Sequence, residues 1–258
     1  MRYIIHIFCM YILLMQSSFA KDTELIFNTQ EFSPFNYSSS GKAAGPVLEV
    51  INAVCAKLKI SCIHKVMPWR RAQKEVRDGD ADGLFVVGKN KSRESWLYFS
   101  LPIITTEYGF FVLKSNTKTF KTLDDIQGYK VGVFGPSNTS NSLLKISEKL
   151  EDDNKTPLDI RTLYDDTLVF KQLNSETRGL QAVYSNKDVG NDLIKKLNLK
   201  NLKYMGKQKE LNYYISFSKK TVSKEMVDKF NQVLRNMHLN NELKYILEKY
   251  SLQSANLK

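Results

Sequence analysis

The residues with the clearest chemical potential lie in DADGLFVVGKNKSRESWLYFS, residues 80–100. An apolar run (Leu84, Phe85, Val86, Val87) breaks at Gly88. A polar loop over residues 88–95 then carries a single arginine, Arg93, before an aromatic segment at 96–99. A cation held in a loop between two strand-forming runs calls for a partner. Two other stretches carry polar or aromatic groups at element starts: PWRRA, with Trp69 and Arg71, and GPSNTSNSLL, with Ser137, Asn138 and Thr139. No nucleophile–base pair is visible, and Glu31 is the only carboxylate that this reading places beside a cleft. Beyond the first twenty residues only His64 and His238 remain, neither with a ligand-like neighbour at helical spacing, so no metal and no cofactor is expected.

The elements that position these groups follow an export signal. Arg2 is the only charge in residues 1–20; an apolar run spans 4–15 and ends in Ser18-Phe19-Ala20. The run is too short to span a bilayer, which needs roughly 20 residues. Cys9 lies too early for a lipid-modified cleavage site. The mature protein, residues 21–258, is therefore expected to be soluble and periplasmic. Loss of Arg2 takes the net charge from +11 to +10. The lysines are scattered and form no basic stripe interleaved with aromatics, so no nucleic-acid partner is expected. Export and an even count pair Cys55 with Cys62 in a disulfide, which should contribute roughly 2–3 kcal/mol.

Strand 24–29 leads into a Ser-, Gly- and Pro-rich loop. Val47, Val50, Ile51, Val54 and Leu58 recur at helical spacing over residues 46–59. Strand 60–66 follows, then a helix opened by Pro68 and closed by Asp78-Gly79. Strands are expected at 84–87, 107–113, 130–134, 160–163, 179–184 and 212–217. Helices are expected after Ser137 and at 167–174, 188–197, 223–237 and 242–250. Strand–helix alternation of this kind implies α/β architecture with parallel pairing, and ligands in such sheets bind at the carboxyl ends of strands.

In this order the segments resemble the family 3 extracellular solute-binding proteins, the periplasmic receptors of polar amino-acid ABC transporters. SPF at 33–35, CAKLKISC, RDGDADGLF, SRESWLYFSLPI and LDDIQGYKVGVF carry the likeness over essentially the whole mature chain. CAKLKISC matches the disulfide loop of the histidine and lysine/arginine/ornithine-binding members. The resemblance implies an α/β, two-lobed periplasmic-binding-protein-like fold of type II, with a ligand cleft between lobes joined by two hinge strands. Lobe 1 is expected at residues 21–112 plus 210–258, lobe 2 at 113–209, with crossings near 111–114 and 209–212. It implies a monomeric transport protein rather than an enzyme. Its partners would be a small-molecule ligand, a polar amino acid or other small carboxylate, and the membrane permease of an ABC transporter.

The resemblance also implies site residues. Arg93 becomes the arginine that grips the ligand's carboxylate through two parallel hydrogen bonds; the alternative is a surface arginine pairing with Glu94 or Asp82. Phe32 packs on the ligand or belongs to the lobe-1 core. Ser137, Asn138 and Thr139 bind an anion at a helix start, or only cap that helix. Trp69 and Arg71 line the cleft, or Trp69 is core. Two departures stand out. Gly88 and Asn90 occupy positions where amino-acid receptors carry Ser or Thr. Tyr184 falls where they carry an Asp for the ligand's ammonium group, so Glu31 or Asp188 substitutes, or the ligand is not an ordinary α-amino acid. Two other readings share the scaffold: an exported lyase resembling cyclohexadienyl dehydratase, and a ligand-sensing partner of a membrane kinase.

Overall fold

The computed structural model describes residues 24–176 and 179–257. The signal segment read at residues 1–20 lies outside them. In the first half β1 (Glu24–Thr29), β2 (Tyr37–Ser39), β3 (Lys42–Ala44), α1 (Pro46–Leu58), β4 (Ser61–Val66), α2 (Trp69–Asp78), β5 (Gly83–Gly88), α3 (Lys91–Glu94), β6 (Leu97–Phe99) and β7 (Ile104–Leu113) follow one another. The second half contains β8 (Lys130–Phe134), α4 (Asn138–Asp152), β9 (Asp159–Leu163), α5 (Asp166–Asn174), β10 (Ala182–Asn186), α6 (Lys187–Lys196), β11 (Leu202–Ser218), α7 (Lys224–Leu239) and α8 (Glu242–Glu248). No helix among the described residues is long and apolar enough to cross a membrane.

α1 forms because its apolar residues fall on one stripe and a proline sits at its first turn. Val47, Val50, Ile51, Val54 and Cys55 are all buried. That stripe meets Val227, Phe230, Leu234 and Met237 of α7 in the core of lobe 1. The disulfide Cys55–Cys62 ties the end of α1 to β4. Lobe 2 has two cores, one on each face of its strands: Val131, Val133, Ala182 and Tyr184 on one side, Val169, Phe170, Leu180 and Val183 on the other. Successive strand residues point to opposite faces, so Val183 and Tyr184 belong to different cores.

The strands form one continuous sheet in the order β4-β1-β5-β11-β7-β10-β8-β9, with β6 also on β11. β1, β4 and β5 pair in parallel, as do β8, β9 and β10, while the central β5/β11, β11/β7 and β7/β10 pairs are antiparallel. β7 and β11 run through both lobes. Ile104 lies in the lobe-1 core, whereas Tyr108, Phe110 and Val112 lie in lobe 2. The first crossing therefore comes near residues 105–108, earlier than the expected 111–114, and residues 108–112 leave lobe 1. The apolar run EYGFFVL reads as a strand within lobe 1, but its Tyr108, Phe110 and Val112 pack in lobe 2. The second crossing falls at Leu211, which touches both cores. β11 starts ten residues before the expected 212. Its stretch KYMGKQKE is charged and half exposed, so it lacks the apolar alternation that announces a strand. Its pairing with β7 shifts register between Tyr204 and Gly206 and again between Lys207 and Lys209.

Helix α6 packs on β7 closely enough to require a glycine. A Cβ on Gly190 would lie 2.2 Å from Cζ of Phe111, which is fully buried. Gly190→Ala is expected to cost about 1–3 kcal/mol through overpacking and to lower Tm by roughly 2–12 °C, read by calorimetry. An unchanged Tm would show that the ring has room to move. Replacing Cys55 and Cys62 together by alanine should cost roughly 2–3 kcal/mol in urea unfolding. A midpoint that stays put would mean the bridge does not form in the folded protein in solution.

Candidate functional site

The carboxyl ends of β1 and β5 in lobe 1 face those of β8, β9 and β10 in lobe 2. Between them lies an open cleft of about 1240 Å³, and at its floor an inner chamber of about 50 Å³. Arg93 opens onto both. It sits on the single helical turn α3, whose cap is Asn90: the Asn90 Oδ1 accepts from the Arg93 N–H at 2.9 Å. The guanidinium donates to the carbonyl of Gly88 at 2.7 Å and lies 5.3 Å from the ring centre of Trp69. Burial pulls its pKa down; Tyr108 and Tyr213 oppose that. None of the ion pairs among the described residues involves Arg93. Glu94 pairs with Lys89 at 3.1 Å, and Asp82 accepts from the Ile26 N–H. The alternative of a surface arginine paired with Glu94 or Asp82 is thereby removed.

Phe32 touches both settings offered for it. It packs on the lobe-1 core through Phe35 and Tyr213, with ring centres 5.3 and 5.8 Å away, and also lines the cleft and the chamber. Trp69 lines both as well. Arg71 does not. Helical spacing turns Arg70, Gln73 and Arg77 toward the cleft, while Arg71 is exposed and donates from Nε to Glu75 at 2.8 Å. A Cβ at Gly88 would lie 2.7 Å from Asn138 Nδ2, so a Ser or Thr there would displace the Asn138 amide. Asn138 reaches in from lobe 2, and its Oδ1 accepts from Asn90 Nδ2 at 3.1 Å.

The remaining expected residues divide sharply. The Ser137 hydroxyl caps α4, accepting from the Ser140 N–H at 3.0 Å and donating to the Phe134 carbonyl at 2.7 Å. Thr139 bonds the Tyr108 hydroxyl, which also bonds Tyr213. Tyr184 is not at the site. It is fully buried in lobe 2 and donates to Gln208 at 2.7 Å. The next two residues of β10, Ser185 and Asn186, are the ones that line the chamber. Counting across the loop before β10 misplaced the position.

The sequence reading missed Asp166, Tyr108, Tyr213, Ser185 and Asn186. Asp166 lines cleft and chamber from the first turn of α5, and burial, with the neighbouring Asp165, pushes its pKa up to about 7, against a hydrogen bond from Ser185. Its signal was present: Asp165-Asp166 comes one residue after strand 160–163, whose carboxyl end faces the cleft. Burial holds Tyr108 and Tyr213 neutral by raising both pKa values. Of the two acids expected to substitute, Glu31 lines the cleft but not the chamber and accepts from the Ser38 N–H at 2.8 Å, whereas Asp188 lines neither and accepts from the Thr106 hydroxyl at 2.6 Å. Val86, on the chamber wall, adopts φ +58°, a left-handed backbone that strains a β-branched residue by about 1–3 kcal/mol. Next to it the β5/β11 register shifts between Tyr214 and Ile215.

Known structures share this fold at low identity. A histidine kinase sensor domain similar to periplasmic binding proteins matches with TM-score 0.77 and 15% identity, over 90% of this chain and 98% of its own. An ancestral arginine-binding protein bound to arginine matches with TM-score 0.74 and 22% identity, over 88% and 98%. A structure concerning glutathione import via GshT and the cystine ABC importer TcyBC of Streptococcus mutans matches with TM-score 0.75 and 20% identity, over 89% and 95%. No curated protein matches by sequence. At these identities the structures establish the fold, of the type II periplasmic-binding-protein kind. The family model described as bacterial extracellular solute-binding proteins, family 3, matches residues 25–253, and the chain belongs to that family.

Proposed function

We propose that this protein captures a small carboxylate-bearing solute between its lobes in the periplasm and delivers it to the permease of an ABC transporter. The observation that carries the reading is Arg93: a desolvated guanidinium, fixed from below by the Gly88 carbonyl and flanked by Trp69, with no carboxylate of its own. A ligand carboxylate would supply the missing charge through a planar, two-bond contact. Asn138 reaching Asn90 from the opposite lobe supports closure around such a ligand. Relatives with the same fold were solved bound to arginine and to glutamine, which makes polar amino acids the first candidates.

Two observations favour other readings. The similarity to a kinase sensor domain fits a receptor that signals rather than transports, since both roles begin with closure on a ligand. The raised pKa of Asp166 would suit a general acid on a lyase. Turnover of prephenate or arogenate by the purified protein would establish the lyase.

The test is a thermal-shift panel of polar amino acids, dicarboxylates, short peptides and aromatic acids. A ligand at about 100 times its Kd adds roughly 2.7 kcal/mol, which in a chain of this size raises Tm by about 5–11 °C. Arg93→Ala is expected to abolish the shift while leaving the unliganded protein folded. If no compound shifts Tm, or if Arg93→Ala responds like the wild type, the reading fails.

A further inference from the structure

Resting on that reading, we propose that the ligand carries a second anionic group, held in the outer cleft by Arg70 and Arg77 of α2 while Arg93 holds the first. The captured solute is then an elongated dianion, a dicarboxylate or a short acidic peptide. One observation is size. The inner chamber measures about 50 Å³, and a single water needs roughly 10–15 Å³. That admits a carboxylate head and little else. The cleft outside it measures about 1240 Å³, above the roughly 300–1,000 Å³ of ordinary small-molecule sites. The body of a solute gripped by Arg93 therefore lies along the cleft walls, and α2 forms one of them.

The other observation is the pattern of ion pairs on α2. Arg70, Gln73 and Arg77 fall on one stripe of the helix, and all three line the cleft. The charges on the other faces are matched: Arg71 pairs with Glu75 at 2.8 Å, and Lys74 pairs with Asp78. Glu75 and Asp78 are the only acids in α2, and Glu75 also accepts from Asn28 at 2.9 Å. Neither Arg70 nor Arg77 has an ion-pair partner among the described residues. Arg70 does the helix no service. It stands in the first turn, where the dipole disfavours a cation, and four residues before the like charge of Lys74. Arg77 rests on the Trp96 ring, 4.6 Å from its centre. Burial first, and the Arg77 charge as well, lower the Arg93 pKa, so these guanidiniums share one positive field. Glu31 is the only lobe-1 acid in the cleft lining, and it accepts from the Ser38 N–H. Lobe 2 does not supply the missing charge. Asp165 caps α5, Asp166 bonds Ser185, and Asp192 pairs with Lys196 at 2.8 Å. This holds although the lobes already touch, through Asn90 and Asn138 and through Lys196, which donates to Ser33 at 2.5 Å.

The experiment is titration calorimetry with α,ω-dicarboxylates of increasing length, each beside its monoamide, and with tripeptides carrying one glutamate, each beside its glutamine counterpart. The proteins are the wild type, the double variant Arg70→Gln/Arg77→Gln, and Arg71→Gln, a control on the same helix outside the cleft lining. At least one dianion is expected to bind the wild type about tenfold or more tighter than its amide. That margin shrinks as salt rises. The double variant should lose the margin, binding acid and amide alike, and Arg71→Gln should keep it. The Tm of each unliganded variant checks its fold, and the wild-type margin with its salt dependence needs no variant. The series that shows the margin tells a dicarboxylate from an acidic peptide. No margin in either series, or a margin that survives in the folded double variant, overturns the proposal. Arg93-dependent binding of acid and amide alike overturns it while leaving the capture reading intact. Absence of binding by every probe removes both.

Discussion

A guanidinium kept from water without a carboxylate beside it is the constraint around which this site is built. Arg93 is held by its own loop: Asn90 caps the turn that carries it, and the Gly88 carbonyl takes one of its N–H groups. Both contacts are to lobe 1, so the charge is positioned before anything enters from lobe 2. The donors that remain point into a chamber whose other charged group is an acid on the far wall. Hydroxyls of Tyr108 and Tyr213, kept neutral by burial, provide polarity there without adding charge.

Gly88 leaves a space beside Arg93 that Asn138 fills from across the cleft. Asn138 and Asn90 then make a polar contact between the lobes. The strained backbone of Val86 and the adjoining register shift bend β5 where it reaches the chamber. Both features lie in lobe 1, within seven residues of Arg93.

Much of this was legible in the sequence, and what was not has physical causes. The apolar stripe of α1, the alternation of strands and helices and the isolated Arg93 all express short-range patterns. The pairing of Cys55 with Cys62 followed from export and count. Tyr184 was misplaced because its position depends on counting through a loop, and a slip of one residue moves a strand side chain to the other face. PWRRA points to Arg71 while the cleft takes Arg70, because a motif gives residue order without helical phase. Asp166 was overlooked because burial depends on residues distant in sequence, and nothing local marks an acid as desolvated. The early half of β11 was hidden by its lysines, which suit a ribbon with solvent on both sides.

That ribbon governs how the molecule can move. β7 and β11 stay paired from Leu113 opposite Leu202 to Ile104 opposite Tyr213, without a gap between the lobes. Opening the cleft therefore breaks no ladder; it twists a two-stranded band, storing energy as a torsion bar does. Each half of that band is anchored on its own side: β5 holds β11 next to the lobe-1 core, and β10 holds β7 at residues 108–111 in lobe 2. The twist is therefore confined to the short stretch between these anchors, around Leu211.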